Sequence, residues 1–472
     1  MRNSDTGSIK LILAYYEKIL YWLMIIMAVF NTLWTLLQHV VWNLPYLKMQ
    51  KWGGAAIIML VVVYFAVSFL TDRDSCSRIG EWFKRILSPE LIFLIGLLIW
   101  YIVVCLIRGR LEGKSYFRPN DNRLFYAALS TLLYFPFMAI IGKEKAKKTL
   151  DCIFNLALAT YTPVCAWVIW KYYHLELVTF PSGNVVQLYR GDSLAIGINS
   201  NITAAYAVIL FGICIYMAMT TLSKIRIVYI AAAIVHLFVI FLSNSRTSFL
   251  ATVGMMLCYA VMLARKYLKK RITVVLGVLL IVLAIIGLLF LLRYRVLGAN
   301  ADLWKEKLEN PNAMSVRKLF DGLSGRVAIW KAAVKIMFSS PDKFFLGITP
   351  AAVPSTLYNM GQTILKFPHC HNVFLNIGVS FGVPAMVLYI WFAGSIVWKG
   401  IRLMKYKGNE LPAGIWTVSV IVFGILLIEM LEVLTYGNRF FNEPVFFILA
   451  GWIVEMNRFL KESEKAKHSN GV

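Results

Sequence analysis

Charge is what this sequence lacks most: 15% of its 472 residues are charged and 59% are hydrophobic. A soluble domain carries about 25% charged residues. The shortfall leaves too little charge to coat a water-facing surface, so lipid must cover much of the chain. A set of independent soluble domains, the first expectation from length alone, is thereby excluded. The seven cysteines (76, 105, 152, 165, 214, 258 and 370) show no C-x-x-C spacing, and most lie in apolar runs. They read as small buried hydrophobes, which excludes a disulfide framework or a cysteine zinc site. No cleavable signal peptide is expected either: the first apolar run, near Ile19, has spanning length and no small-residue cleavage site. Neither an internal repeat nor the inverted-repeat symmetry of many transporters is visible.

What is present is a series of long apolar runs. Crossing about 30 Å of hydrocarbon takes roughly 20 apolar residues. Candidate spans are 19–37, 54–70, 91–107, 124–141, 152–170, 201–219, 225–242, 247–264, 272–292, 371–393, 414–434 and 443–457. The fold class is therefore all-α: one polytopic membrane domain over 1–472, with about 12 transmembrane helices.

Basic residues outnumber acidic ones 48 to 24, for a formal net charge of +24. In a soluble protein that excess points to nucleic acid. Here most of it sits in short loops between spans, the pattern of the positive-inside rule, so membrane lipid is the expected partner and nucleic acid is not. With both termini inside, the inward segments hold 26 Lys and Arg and the short outward loops 11. One outward loop, 108–123, carries five basic residues against the trend. The long segment 293–370, between the ninth and tenth spans, becomes a large extracytoplasmic loop. Within it 326–338 reads as an amphipathic helix, with Arg326, Trp330 and Val334 on one face and Lys331 and Lys335 beside them. A basic helix bearing Trp and Phe suits a membrane interface.

Ionisable groups at membrane depth are costly and so mark candidate sites. Arg246 lies at an outer turn among Ser243, Ser245, Thr247 and Ser248. A snorkelling arginine is one reading. An anion site is the other, since guanidinium makes forked contacts with phosphate. His371, in Pro368-His369-Cys370-His371-Asn372, falls at or near the first turn of a helix. The positive end of the helix dipole there disfavours imidazolium, leaving a neutral ring that can act as a base. Exposed N–H groups at the same terminus can bind an anion. Asp72-Arg73-Asp74 has a metal-binding D-x-D spacing but falls on the inward side, away from these residues. Glu429 and Glu432 share a helical face in the eleventh span and read either as partners in a structural ion pair with an arginine such as Arg439, the first expectation, or as lining of a polar groove.

Four segments resemble the O-antigen ligase / O-antigen polymerase family of bacterial surface-glycan enzymes. They are R-G-D-S-L-A-I-G-I-N-S-N-I-T-A-A at 190–205, S-N-S-R-T-S at 243–248, G-R-V-A-I-W-K-A-A at 325–333 with P-D-K-F-F-L-G-I at 341–348, and H-N-V-F-L-N-I-G-V-S-F-G at 371–382. In the family's histidine motif His-Asn is followed nine residues later by Gly, here Gly382. Three residues on, the family has Gly, Thr or Tyr, and this chain has Ala385. Residues 1–189 are similar in topology alone.

The resemblance implies a glycosyltransferase of the cytoplasmic (inner) membrane with its active site outward. Its donor would be a glycan on undecaprenyl diphosphate and its acceptor a hydroxyl on a glycan or another lipid-linked molecule. Arg246 and Arg326 would clamp the diphosphate, with Arg190 a third candidate, and His371 would take the acceptor proton. Asn372, Trp330, Ser245 and His369 are expected to line the substrate. No metal and no other cofactor is expected, and the outcome is inversion. A repeat-unit polymerase is the first expectation, with a chain-length regulator and a flippase as further partners. A ligase passing finished glycan to lipid A core is the second. A lipid-linked oligosaccharide flippase is the alternative from another class, though it would not need a 78-residue outer loop.

Overall fold

The computed structural model describes residues 87–111, 134–173, 200–221, 223–243, 245–267, 316–360, 369–406, 414–432 and 442–469. It adds short strand segments between 178 and 196 and a few single positions. The expected spans 19–37, 54–70 and 272–292, the D-x-D segment and Arg439 lie outside the described residues, single positions apart. The described chain is all-helical apart from two small hairpins.

Its helices are α1 (Pro89–Leu111), α2 (Tyr134–Tyr173), α3 (Ser200–Thr220), α4 (Arg226–Leu242), α5 (Arg246–Tyr267), α6 (Val316–Met337), α7 (Pro341–Leu346), α8 (Val353–Asn359), α9 (Val373–Phe381), α10 (Val383–Lys405), α11 (Ile415–Glu429) and α12 (Asn442–Ser469). Among the described residues, four stretches are long and apolar enough to cross a membrane: Pro89–Leu111, Ala146–Tyr172, Ser200–Thr220 and Val383–Lys405. At about 1.5 Å per residue the 23 residues of α1 cover the hydrocarbon with little to spare. Arg108 and Arg110 lie in its last turn, where cations complement the helix dipole.

Two expectations change. The described part of the expected span 124–141, residues 134–141, and the span 152–170 lie on α2, and the inward loop expected at 142–150 carries helical backbone. The physical reason is a run of strong helix formers, K-E-K-A-K-K at 143–148, with no glycine or proline within it. The span expected at 371–393 is two helices, because Gly382 (φ 92°) ends α9 and a proline near its first turn starts α10. The candidate crossing is thus 383–405.

α3 is apolar on every side and mostly buried, as a helix at the centre of a bundle must be. It packs against α4, α5 and α11. Gly212 of α3 and Gly424 of α11 both face Met255 of α5, and a Cβ on either would come within 2.7 Å of it. These glycines set how closely the three helices approach. α2 packs along α12, and α10 lies against α1, α11 and α12. Ile92, Ile95 and Ile99 on α1, and Val387, Leu388 and Trp391 on α10, are exposed. Such faces are unfavourable in water and natural in lipid.

The hairpins pair Val178–Thr179 with Val185–Val186 and Tyr189–Arg190 with Ser193–Leu194. Buried Leu194 anchors the second against α3 and α4, and the Thr203 hydroxyl bonds both N–H and C=O of Ile196.

Polar groups gather at the two ends of the bundle. At one, buried Glu90 accepts from Lys399 and Ser395, and Asp151 accepts from Lys147 (2.7 Å) and Tyr216 (2.9 Å). At the other, α1, α4 and α11 end, α5 and α10 begin, and α6 to α9 lie across them.

Candidate active site

The polar cluster at this second end is built around Glu432. α11 finishes at Glu429, and a short turn carries the chain to Glu432, whose backbone N–H bonds Ile428 O (2.8 Å). Its carboxylate is 4% exposed. Oε1 lies 2.9 Å from Nδ1 of His371 and 3.6 Å from Nε2 of His369. Oε2 lies 3.3 Å from Nη2 of Arg326, whose Nη1 donates to Thr247 Oγ1 at 3.0 Å. One carboxylate therefore joins α5, α6, the histidine loop and the end of α11.

His371 stands one residue before the cap of α9, slightly outside the turn expected for it. Asn372 is the cap: its Oδ1 accepts from Leu375 N–H (3.0 Å). Its Nδ2 donates to Met430 O (2.8 Å), stapling the loop to α11. His371 itself has φ 52°, a left-handed conformation uncommon outside glycine. Such strain persists where neighbours over-determine it, and here Asn372 and Glu432 hold the residue on both sides.

The bonds assign the ring protons. A carboxylate only accepts, so Nδ1 of His371 carries the proton toward Glu432 and the lone pair of the neutral ring is on Nε2. Nδ1 of His369 accepts from the His371 backbone N–H (3.2 Å), which leaves its proton on Nε2, facing Glu432. Burial pushes the His369 imidazole down to about 4, with Glu432 opposing and His371 and Arg326 adding to the fall. Burial alone would raise Glu432. The bond from His371 and the charges around it outweigh that and hold the carboxyl below its usual range. The two rings meet edge to face at 4.6 Å.

The ligand atoms of His369, His371 and Glu432 lie within 4.8 Å of one another, close enough to hold a cation. The fit is poor on two counts. His369 would have to release its amide bond to free Nε2 for a metal, and Glu432 already carries a guanidinium on its second oxygen.

Of the other predicted site residues, Trp330 lies one turn from Arg326 on α6 and Ser245 adjoins the start of α5. Trp330 donates to Cys370 O (3.2 Å) and so ties α6 to the histidine loop, while Cys370 N–H bonds Asn376 Oδ1 (3.3 Å). The buried Ser245 hydroxyl bonds Ser248 Oγ (3.2 Å) at the start of α5. Arg246 is the first residue of α5, next to Thr247, with its side chain exposed. Arg190 lies in the second hairpin, opposite Ser193. Glu432 is the residue that sequence reasoning missed. Expected to pair with an arginine such as Arg439, which lies outside the described residues, or to line a polar groove, it meets Arg326 and two histidines. The available signal was a carboxylate in an apolar run that carries few others.

The motif around Gly382 has a mechanical explanation. A Cβ there would sit 2.1 Å from Phe345 O, and one on Gly347 (φ 66°) 2.5 Å from the backbone of residues 380 and 381. Ile348 N–H and Thr349 N–H bond Val379 O (2.8 Å) and Ser380 O (3.0 Å). The 341–348 and 371–382 segments are thus clamped backbone to backbone. Arg108 locks the clamp to α1, donating from Nε to Gly347 O (2.7 Å) and from Nη1 to Asp342 Oδ2 (2.7 Å).

A family model described as O-antigen ligase matches residues 231–390, a segment that contains α5, α6, the histidine loop and α9. No curated protein matches the chain. Arg326, His371 and the two clamped backbone segments all fall inside the matched segment, so this part of the chain is similar to the O-antigen ligase family.

Proposed function

We propose that the chain transfers a glycan from a polyprenyl diphosphate to an acceptor hydroxyl at the outer face of the cytoplasmic membrane. The observation that carries this reading is the shared carboxylate: Glu432 orients the base His371 and the cation Arg326 at once. The acceptor oxygen attacks the anomeric carbon and its proton passes to Nε2 of His371. The bond from that carbon to the diphosphate oxygen breaks, and its electron pair leaves with the diphosphate. Attack opposite the leaving group inverts the centre.

A diphosphate leaves readily if its growing charge meets fixed donors. Two of the five N–H groups of Arg326 go to Thr247 and Glu432. The others, with exposed Arg246 and the helix N-termini nearby, are suited to the diphosphate. Asn372 and Trp330 act by holding the loop, since their polar atoms bond backbone.

Between the two acceptors, a repeat-unit polymerase remains our reading. The description of the matched family favours the ligase as the second. Reconstituted protein supplied with a lipid-diphosphate glycan and two acceptors, a second lipid-linked repeat unit and a lipid A core, distinguishes them. Products lengthened by whole repeats support the polymerase, and glycan on the core supports the ligase. No transfer to either, with lipid-linked glycan crossing the bilayer, sinks both in favour of a flippase.

A further inference from the structure

The outward face of α6 is more apolar than that of a soluble helix. Ile329, Ala332, Ala333, Ile336 and Met337 pack inward. The opposite side exposes Val327, Val334 and Phe338, the last at 62%, with exposed Lys331 and Lys335 interleaved. Phe338 continues into α7: its ring lies 5.4 Å from that of Phe344, which lies 5.0 Å from that of Phe345, itself 54% exposed. Lys343 stands beside them.

The depth of this surface is set by Arg108. That residue is in the last turn of α1, a helix of spanning length with isoleucines exposed along its side, and it bonds both Asp342 and Gly347. α7 therefore sits at the level where α1 leaves the hydrocarbon. Aromatic rings with flanking lysines at that level match a lipid headgroup region in both polarity and charge sign.

We propose that Val327, Val334, Phe338 and Phe345 insert into the bilayer at the end of α1, with Lys331 and Lys335 on the phosphates of anionic phospholipid. This docks the helix carrying Arg326 on the membrane surface, where a lipid-borne substrate would arrive. The proposal rests on α1 as a spanning helix and is independent of the transfer chemistry.

The test is spin-label accessibility in full-length protein lacking its native cysteines, held in nanodiscs of phosphatidylcholine with or without phosphatidylglycerol. Labels at positions 338 and 345 should be relaxed by oxygen, which partitions into lipid, more than by a water-soluble nickel complex. Phosphatidylglycerol should widen that difference, and the double variant Lys331→Glu/Lys335→Glu should abolish the widening. Labels favouring the nickel complex in both lipids would place the face in water and overturn the proposal. Shielding from both reagents that disappears in discs holding a single copy would assign the face to a second protomer instead. Depth without any response to lipid charge or to lysine reversal would overturn the anionic-lipid assignment.

Discussion

Glu432 Oε1 lies 2.9 Å from His371 Nδ1, and this contact decides which nitrogen of the ring is free to take a proton. With Nδ1–H committed to the carboxylate, Nε2 is the basic atom. Glu432→Gln keeps the size of the side chain but can present an N–H where only an acceptor works, which favours the wrong tautomer. Transfer should fall by about 100-fold or more, the general-base scale. His371→Gln should fall at least as far. Both are read in a reconstituted assay with donor binding measured alongside. Normal transfer by the Glu432→Gln variant would show that orientation of His371 does not depend on the carboxylate.

The two arginines should separate under conservative change. Arg326 divides its guanidinium between Thr247 and Glu432, a fork that lysine cannot reproduce. Arg326→Lys should cost roughly 100- to 1000-fold in transfer, the loss typical of one donor to developing charge, and should also lower thermal stability. Arg246 is exposed, so Arg246→Lys should leave the unfolding temperature unchanged and act on donor use alone. If both lysine variants transfer at the normal rate, the diphosphate clamp is wrong.

Which parts of this were readable from sequence follows from the range of each interaction. α1, α3 and α4 announce themselves because lipid burial needs a continuous apolar run, and hydropathy counts that locally. The break at Gly382 is hidden in the same measure, because residues 373–393 are mostly apolar and only Gly382 and Pro384 mark it. Arg326 and His371 were legible as motif residues. Their meeting point was not: Glu432 lies 61 residues beyond His371 and 106 beyond Arg326. Nothing in local spacing distinguishes a carboxylate that will face two histidines from one that will face the nearest arginine. Arg108 was legible only as an oddity, a basic outward loop. The structure supplies its reason, an ion pair and a carbonyl bond to the 341–347 segment.

Acid should loosen the site through His369. Its imidazole is held at about 4 by burial, against an ordinary value of 6.5. Between those values the unfolded chain binds a proton that the folded site refuses. Stability is therefore complete above about pH 6.5 and declines as pH falls toward 4. His369→Asn, whose Oδ1 can still accept the His371 amide, should flatten that part of the profile. Thermal unfolding of detergent-solubilised protein across this range, with chelator present, provides the comparison. An unchanged slope in the asparagine variant would assign the acid sensitivity to other groups.

The clamp between the two motif segments gives the last prediction, and it separates shape from chemistry. Gly382 has no catalytic atom, yet its φ of 92° and the Phe345 carbonyl 2.1 Å from where a Cβ would lie leave no room for alanine. That positive-φ, extended backbone, essentially restricted to glycine, alone costs an L-residue about 1–3 kcal/mol, and the close contact adds to it by pushing the 341–347 segment off α9. Arg108 holds that segment from the other side, so Arg108→Gln should loosen it without forcing α9 apart. Gly382→Ala should lower the unfolding temperature by several degrees and reduce transfer, with the Arg108 variant showing a smaller fall in both. The two together should cost less than the sum of the singles, because each releases the same segment. Additive losses would mean that Arg108 and Gly382 act on separate parts of the fold, and full activity in Gly382→Ala would detach the motif glycine from the site altogether.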